Sequence, residues 1–585
     1  MSRNTVADVV VDGLRRAGTP RLFAVTGSEA HPLCAAARAA ELPLTLASTE
    51  AVACIMAAVA GDLAEAPGAA LIESPGAAAI AAVEHAAVDR APLVVLTERH
   101  PHAMLAAKAA LGVTPESAAH WIAHASRLAA TEPRGPVHLD IAPDVLWRAA
   151  LPVATSCRPD SPAPADPHAL DAAARLLAGA SRPLLLAGLH CRSAAGQPWV
   201  RALVEALPAP MLVTLRGKGA LPDPHPLMLG VLGIEIVDER LLKLADLVVT
   251  LGLDASEAVP AWCRSTVPVL AIGPPQTAGD PAPAVEVAGE IGAVLEELAP
   301  RLRDRDRADW DVAELDRLKR ARSTARRGDD AERSTRDIVR LAREALPAGT
   351  IATVDAGPHR ADVAEAWHAV APRELLASNG LASAGFALPA AIAAHLVHPD
   401  RRIVCFTGAD ELQATALDLD TVRRLGGPIV LVVFGDGPSG APDPTALAQS
   451  VRLSAGYGRW RPVWRGAESG DAAGGPGADR RAALTLASDC HLPGGIHGVP
   501  TGLGIGHDGR QRLVQLVGQS AGHLAENSFA GYIGSCVDIT DRKQAEVEVQ
   551  QQRQELAHLT RVAGARAVDL PLHHHGSQRA AVGCQ

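Results

Sequence analysis

What most constrains this chain is a pattern that occurs three times: short, almost uninterrupted apolar runs, each followed by sequence with helical spacing. In the first block the runs are Arg21–Val25, Leu42–Ala47, Ala69–Ile72, Pro92–Leu96 and Pro136–Ile141, introduced by a helix over 4–17. A strand that is apolar at nearly every position is buried on both faces. Strands of that kind alternating with helices predict a parallel sheet covered on both sides. The second block carries Pro183–Leu189, Pro210–Thr214, Leu247–Leu251 and Val267–Ile272; the third carries Thr350–Asp355, Arg402–Thr407 and Pro428–Phe434. A chain of 585 residues is too long for one core, in keeping with several domains. The expected fold class is α/β, with three parallel-sheet domains covered by helices and a poorly ordered C-terminal extension.

The punctuation places these domains at 1–155, 168–300 and 336–460. Residues 156–167 (CRPDSPAPADPH) are rich in proline and polar side chains and read as a linker. Residues 301–335 are dense in Arg and Asp, which predicts a solvated helical connector. Residues 465–525 are rich in Gly, Ala and Asp without sustained periodicity, so poor order is expected there. Within 526–565, Ala545, Val549, Gln552, Leu556, Leu559 and Ala563 alternate spacings of four and three, a short coiled-coil seam, and 566–585 is read as a tail.

Several function classes are disfavoured. A net charge of −10 leaves no basic footprint for nucleic acid. The nine cysteines include no CxxC pair, so neither a disulfide framework nor a zinc site is indicated, and a reducing cytoplasm is expected. Asp8 and Asp12 interrupt the N-terminal apolar positions and argue against a signal peptide. The charge-free stretch 378–399 contains two glycines, two prolines and two histidines, which reads as a loop and a buried helix rather than a membrane span.

Asp355-Ala356-Gly357, then Ser378 to Pro389 (SNGLASAGFALP), then Cys405-Phe406-Thr407-Gly408 form an ordered set. It resembles the diphosphate-binding domain of thiamine-diphosphate enzymes of the acetolactate synthase and 2-oxoacid decarboxylase type. The resemblance extends over about residues 1–450. Phe23–Gly27, Ser74-Pro75-Gly76 and Arg134–Asp140 fall in the family's order, and Leu46–Val52 places Glu50 where the family keeps a glutamate after its second strand. The resemblance implies that Glu50 lies against the aminopyrimidine ring and promotes loss of the thiazolium C2 proton. Val52, Ile55 and Met56 nearby are expected to form an apolar pocket that raises its pKa. Read without the family, Glu50 is an acid in a helix first turn, favoured there by the helix dipole. The same comparison implies cofactor contacts at Gly27, Gly76, Gly357, His359, Ser383, Gly385 and Gly408.

The family's Mg²⁺ ligands, an Asp and an Asn, fall at Ala409 and Gly435, and neither residue offers a side-chain oxygen. Asp410 and Asp436 lie one residue beyond and keep the mutual spacing, which makes them the candidate metal ligands; as residues of surface turns they are equally ordinary. Some family members bind FAD in the central domain, and no residue here identifies such a site. Family active sites lie between the first domain of one subunit and the third of another, which implies a homodimer or homotetramer. Two functions follow: an enzyme acting on a small 2-oxo acid such as pyruvate, or a catalytically silent relative serving as a binding or interaction module.

Gly531–Lys543 (GYIGSCVDITDRK) with the helix after it resembles the end of a PAS sensor domain entering a histidine kinase's signalling helix. No phosphoacceptor or ATP-binding motif follows, so the C-terminus reads as a join between two coding regions.

Overall fold

The computed structural model describes residues 4–435 apart from 74, 99–105, 234, 258–266, 276–282, 303–307, 325–334, 380–384 and 427–428. Beyond these it describes only short strands. The chain divides into two compact units, Met1–Cys490 and His491–Gln585.

The first unit holds three six-stranded sheets. The first contains β1 (Leu22–Val25), β2 (Leu44–Ala47), β3 (Gly68–Ile72), β4 (Leu93–Thr97), β5 (Ala110–Val113) and β6 (Pro136–Ile141). Their order is β2-β1-β3-β4-β6-β5, parallel throughout. The second contains β7 (Pro183–Ala187), β8 (Met211–Val213), β9 (Met228–Val231), β10 (Leu247–Leu251), β11 (Val269–Gly273) and β12 (Val285–Ala288), in the order β12-β11-β10-β7-β8-β9 and again parallel. The third contains β13 (Ile351–Val354), β14 (Leu375–Leu376), β15 (Ile403–Gly408), β16 (Ile429–Gly435), β17 (Gly456–Tyr457) and β18 (Arg481–Leu486), ordered β14-β13-β15-β16-β18-β17. In it the last two strands run antiparallel, β18 against β16 and β17 against β18.

The apolar runs fall on strands as expected. Four of the parallel strands have no such run: β5, β9, β12 and β14, and each lies at a sheet edge. An edge strand is shielded on fewer sides: β5 and β12 expose alternate residues, β9 turns one residue outward, and β14 is two residues long. Arg481–Leu486 lies in the stretch expected to be poorly ordered, yet it pairs with β16 over six residues. Nothing in its own periodicity requires that; the edge of a sheet built far earlier in the chain supplies the partner.

Helices Glu50–Ala64 and Ala387–Val397 decide how the domains meet. Both are apolar nearly all round, the mark of a helix buried on every side. They pack on each other, and a single core joins Val52, Met56, Ile72 and Leu93 of the first domain to Leu388, Ile392, Ile403 and Leu412 of the third. The central domain is tied in by charge. Asp62 of the Glu50 helix faces Arg192 at 2.7 Å and Arg216 at 3.4 Å from the central domain, and Arg373 at 3.4 Å from the third.

The connector expected to be solvated is so only in part. Helix Val312–Thr324 carries the fully buried Arg322, which pairs with Asp238 and, at 3.2 Å, with Glu365. Helical pattern alone does not reveal that one arginine of an exposed series points inward. Among the described residues no helix is long and apolar enough to cross a membrane.

The second unit contains an antiparallel sheet of β19 (Thr501–Ile505), β20 (Gln511–Val517) and β21 (Ser535–Asp538). β21 falls within the PAS-like segment; the rest of that segment, the helical seam and the tail lie outside the described residues.

Candidate cofactor site

In open α/β sheets ligands gather at the carboxyl ends of the strands. Gly27, Glu50 and Gly76 all lie at that end of the first sheet, after the neighbouring strands β1, β2 and β3. Thr49 is the N-cap of the Glu50 helix, its hydroxyl accepting from the Val52 amide at 3.3 Å. Glu50 is thus the first helical residue rather than the cap. Its Oε2 accepts from the Gly76 amide at 3.2 Å, which ties it to the loop after β3. Gly27, with φ 108°, and Gly76 both border open space. The apolar pocket expected around Glu50 is not built as expected: Val52 and Met56 face into the core, whereas Glu50 is half-buried. Successive positions on a helix point in different directions, which is why sequence neighbours need not surround one another.

The third-domain residues gather at the ends of β13 and β15. Asp355 is buried, and its Oδ1 accepts from the amides of Phe386 at 2.7 Å and Ala387 at 2.9 Å while Oδ2 accepts from Thr407 Oγ1 at 2.6 Å. Burial raises its pKa, opposed by these hydrogen bonds. Asp355 therefore holds the start of helix Ala387–Val397 against β15, and fixes Gly385, at φ 95°, between them. Gly357, Gly385 and Gly408 line a cradle from three separate segments. A Cβ on Gly357 would stand 2.6 Å from His359 Cε1 and 2.9 Å from Glu411 Oε1, one on Gly385 2.8 Å from Thr415 Cγ2, and one on Gly408 inside the Glu411 carboxylate. Only glycine admits groups this close to the backbone. His359 is buried, its ring 5.0 Å from that of Phe434.

Glu411 is the site residue that sequence reasoning missed. Gly408 caps helix Ala409–Ala414, and Glu411 is its third residue. Helical side chains slope back toward the N-terminus, so a residue three places past the cap reaches over the cap itself. A glutamate three residues after a strand-ending glycine was the available signal. By contrast Ala409 packs against the core and Asp410 is exposed. Among the described residues no three His, Cys, Asp or Glu side chains group as a metal site. Asp436 and Ser383 lie outside the described residues. The glycine cradle would admit a diphosphate, which needs close backbone approach, once the Glu411 carboxylate turns aside from Gly357 and Gly408, and Glu411 is a hard oxygen donor suited to Mg²⁺.

Segments neighbouring the two groups touch. Ser48, two residues before Glu50, donates from its amide to Asp418 Oδ1 at 3.2 Å and from its hydroxyl to Asp418 Oδ2 at 2.5 Å. Burial raises the Asp418 pKa, against the pull of Ser48. First-domain Ala51 and Ile55 and third-domain Ala409 pack on one core.

In the central sheet the chain order reverses between β7 and β10, the position where such sheets take nucleotide phosphates. Here a side chain fills it. Buried Glu257 accepts from the amides of Leu189 at 2.8 Å and Asp254 at 3.1 Å and from Thr214 Oγ1 at 2.5 Å, and burial raises its pKa. A Cβ on Gly188 would lie 2.5 Å from Glu257 Oε2.

Comparison with known proteins agrees with this layout. Residues 4–120 match the thiamine pyrophosphate enzyme N-terminal TPP binding domain, 170–298 the central domain and 355–449 the C-terminal TPP binding domain. The chain belongs to the thiamine pyrophosphate enzyme family. It is 28% identical over 370 residues to the acetolactate synthase isozyme 1 large subunit of Escherichia coli (strain K12), covering 59% of this chain and 65% of that one. Over 464 residues it is 27% identical to the catabolic acetolactate synthase of Raoultella terrigena, covering 74% of this chain and 82% of the relative. A Mycobacterium smegmatis structure described as a thiamin diphosphate-dependent enzyme superposes with a TM-score of 0.67 at 20% identity, over 77% of this chain and 94% of that one, which shows the fold. The chain thus spans less than two thirds of the length of the first of these relatives.

Proposed function

We propose that the chain is a thiamine-diphosphate-dependent enzyme acting on a small 2-oxo acid such as pyruvate, by carboligation or decarboxylation. On this reading it works in the cytoplasm as a homodimer or homotetramer. The observation that carries the reading is that one chain holds both halves of such a site, Glu50 at the carboxyl end of the first sheet and the cradle of Gly357, Gly385 and Gly408 in the third domain. Since family sites form between the first domain of one subunit and the third of another, each half would meet its complement in a partner chain. When bound, thiamine diphosphate supplies the carbanion chemistry that cleavage beside a 2-oxo group requires. Glu50 would hold and move a proton at its carboxylate, with Gly76 orienting Oε2. The three glycines would receive the diphosphate, and Glu411 would hold the cation.

The test is pyruvate consumption by the full chain with thiamine diphosphate and Mg²⁺, beside the Glu50→Gln variant. Turnover should fall by roughly 10²–10⁴-fold in the variant while cofactor binding persists, the usual span for a lost acid–base group. Cofactor bound without turnover of any small 2-oxo acid would refute an enzymatic role. It would favour the second reading, a silent relative, for which Ala409 and Gly435 at the family's metal positions speak.

A further inference from the structure

We infer that Glu411, not Asp410, is the side chain that meets a divalent cation at the glycine cradle, so that one carboxylate opposes a bare diphosphate and binds a metal-charged one. The inference rests on the thiamine-diphosphate reading above and concerns the same site.

Gly357 and Gly408 are crowded by the ends of the Glu411 and His359 side chains, not by backbone. Such side-chain ends can rotate away, so the cradle can be vacated without moving the fold. Until that happens, a carboxylate stands in the space that a diphosphate would enter. Two anions in one cradle repel, and repulsion is stronger away from bulk water. A cation reverses the sign. Mg²⁺ is commonly held by one or two carboxylates together with phosphate oxygens while keeping several of its waters. One protein carboxylate is therefore sufficient, and the missing side-chain oxygens at Ala409 and Gly435 do not by themselves abolish the site. Asp410 is the neighbouring acid in sequence, but it is exposed, while Glu411 reaches back over Gly408. The ordinary account of Glu411 is a capping interaction with the first turn of its helix. A glutamine would preserve that interaction and remove only the charge and the metal ligand.

The experiment is calorimetric titration of thiamine diphosphate into the full chain, in Mg²⁺ and separately in EDTA, for wild type, Glu411→Gln and Asp410→Asn. With Mg²⁺, Glu411→Gln should lose about 10- to 100-fold in affinity or more, the span seen when even outer partners of a metal are removed. In EDTA the same variant should bind more tightly than wild type. Asp410→Asn should match wild type in both buffers. Opposite signs in the two buffers are the signature. Weakening in both would mean capping alone, strengthening in both would mean simple obstruction, and either overturns the inference. Equal Mg²⁺-dependent binding by wild type and Glu411→Gln also overturns it but leaves the cofactor reading intact. Absence of binding in every case removes the cofactor reading and the inference with it. Should Glu411→Gln not fold, wild type with inorganic pyrophosphate still tests the sign: binding should require Mg²⁺, and equal affinity in EDTA would overturn the inference.

Discussion

Replacing Asp62 by Asn removes one negative charge from a place where three arginines of two other domains converge. Asp62 is 4% exposed, Arg192 7% and Arg216 8%, so water can do little to compensate for the loss. Burial alone would raise the Asp62 pKa, but Arg192, Arg373 and Arg216 hold the carboxyl well below the usual range. Burial pulls Arg192 down to about 10, which still leaves it charged at neutral pH. Glu65 pairs with Arg373 at 2.5 Å, so the Asp62→Asn change would strand chiefly Arg192 and Arg216. Removing one partner of a buried pair costs about 3–5 kcal/mol, because the remaining charge stays desolvated. The expected result is a fall of that order in unfolding free energy, read from urea unfolding by circular dichroism at pH 7. The pH dependence has a definite sign. A depressed carboxyl contributes stability above its unfolded pKa of about 3.9, and that contribution is lost as pH falls through the folded value. The gap between wild type and Asp62→Asn should therefore narrow in acid. Pairing Asp62→Asn with Arg216→Gln should recover part of the loss, since coupled neighbours do not add. A change below about 1 kcal/mol at pH 7 would refute the idea that this cluster locks the domains together.

The remaining predictions concern single contacts. Asp355→Ala leaves the Phe386 and Ala387 amides and the Thr407 hydroxyl without their acceptor. At about 1–3 kcal/mol for each stranded buried group, a loss of roughly 3 kcal/mol or more is expected, with faster amide exchange across Ala387–Val397 and weaker cofactor binding. Unchanged exchange there would show that the helix start does not depend on Asp355. His190 lies between Asp254 at 2.8 Å and Glu132 at 3.3 Å. Burial would lower its pKa, yet Asp254 and Glu132 raise it. Its contribution is complete below the unfolded value of about 6.5 and is lost as pH rises through the folded one, so the stability gap between wild type and His190→Gln should shrink in alkali; a pH-independent gap would contradict this.

The legibility of this protein divides along a physical line. Strands such as Val94-Val95-Leu96 and Pro183–Ala187 declare themselves because a strand buried on both faces must be apolar at every position. The edge strands Ala110–Val113 and Val285–Ala288 are invisible for the converse reason. The glycines of the cradle were legible singly, each as turn punctuation, and the order of motifs placed Glu50 correctly at a helix start. Their convergence was legible only through the family resemblance and not from their own pattern, since Gly357, Gly385 and Gly408 meet only where β13, β15 and the Ala387 helix come together.

Asp410 drew attention in the sequence because it stands next to an expected ligand position, yet helical geometry turns it outward and brings Glu411 over Gly408 instead. Glu257 shows the same limit: as one acid among 65 acidic residues it carries no signal, and only the folded sheet places it in the crevice between β7 and β10. Sequence alone thus determined which segments are the strands buried on both faces, that they fall into three α/β blocks, and the family to which the chain belongs, because burial and chain connectivity leave periodic marks. Tertiary structure decided which charged side chains enter the sites, because a side chain's direction depends on where its helix starts and what packs beside it.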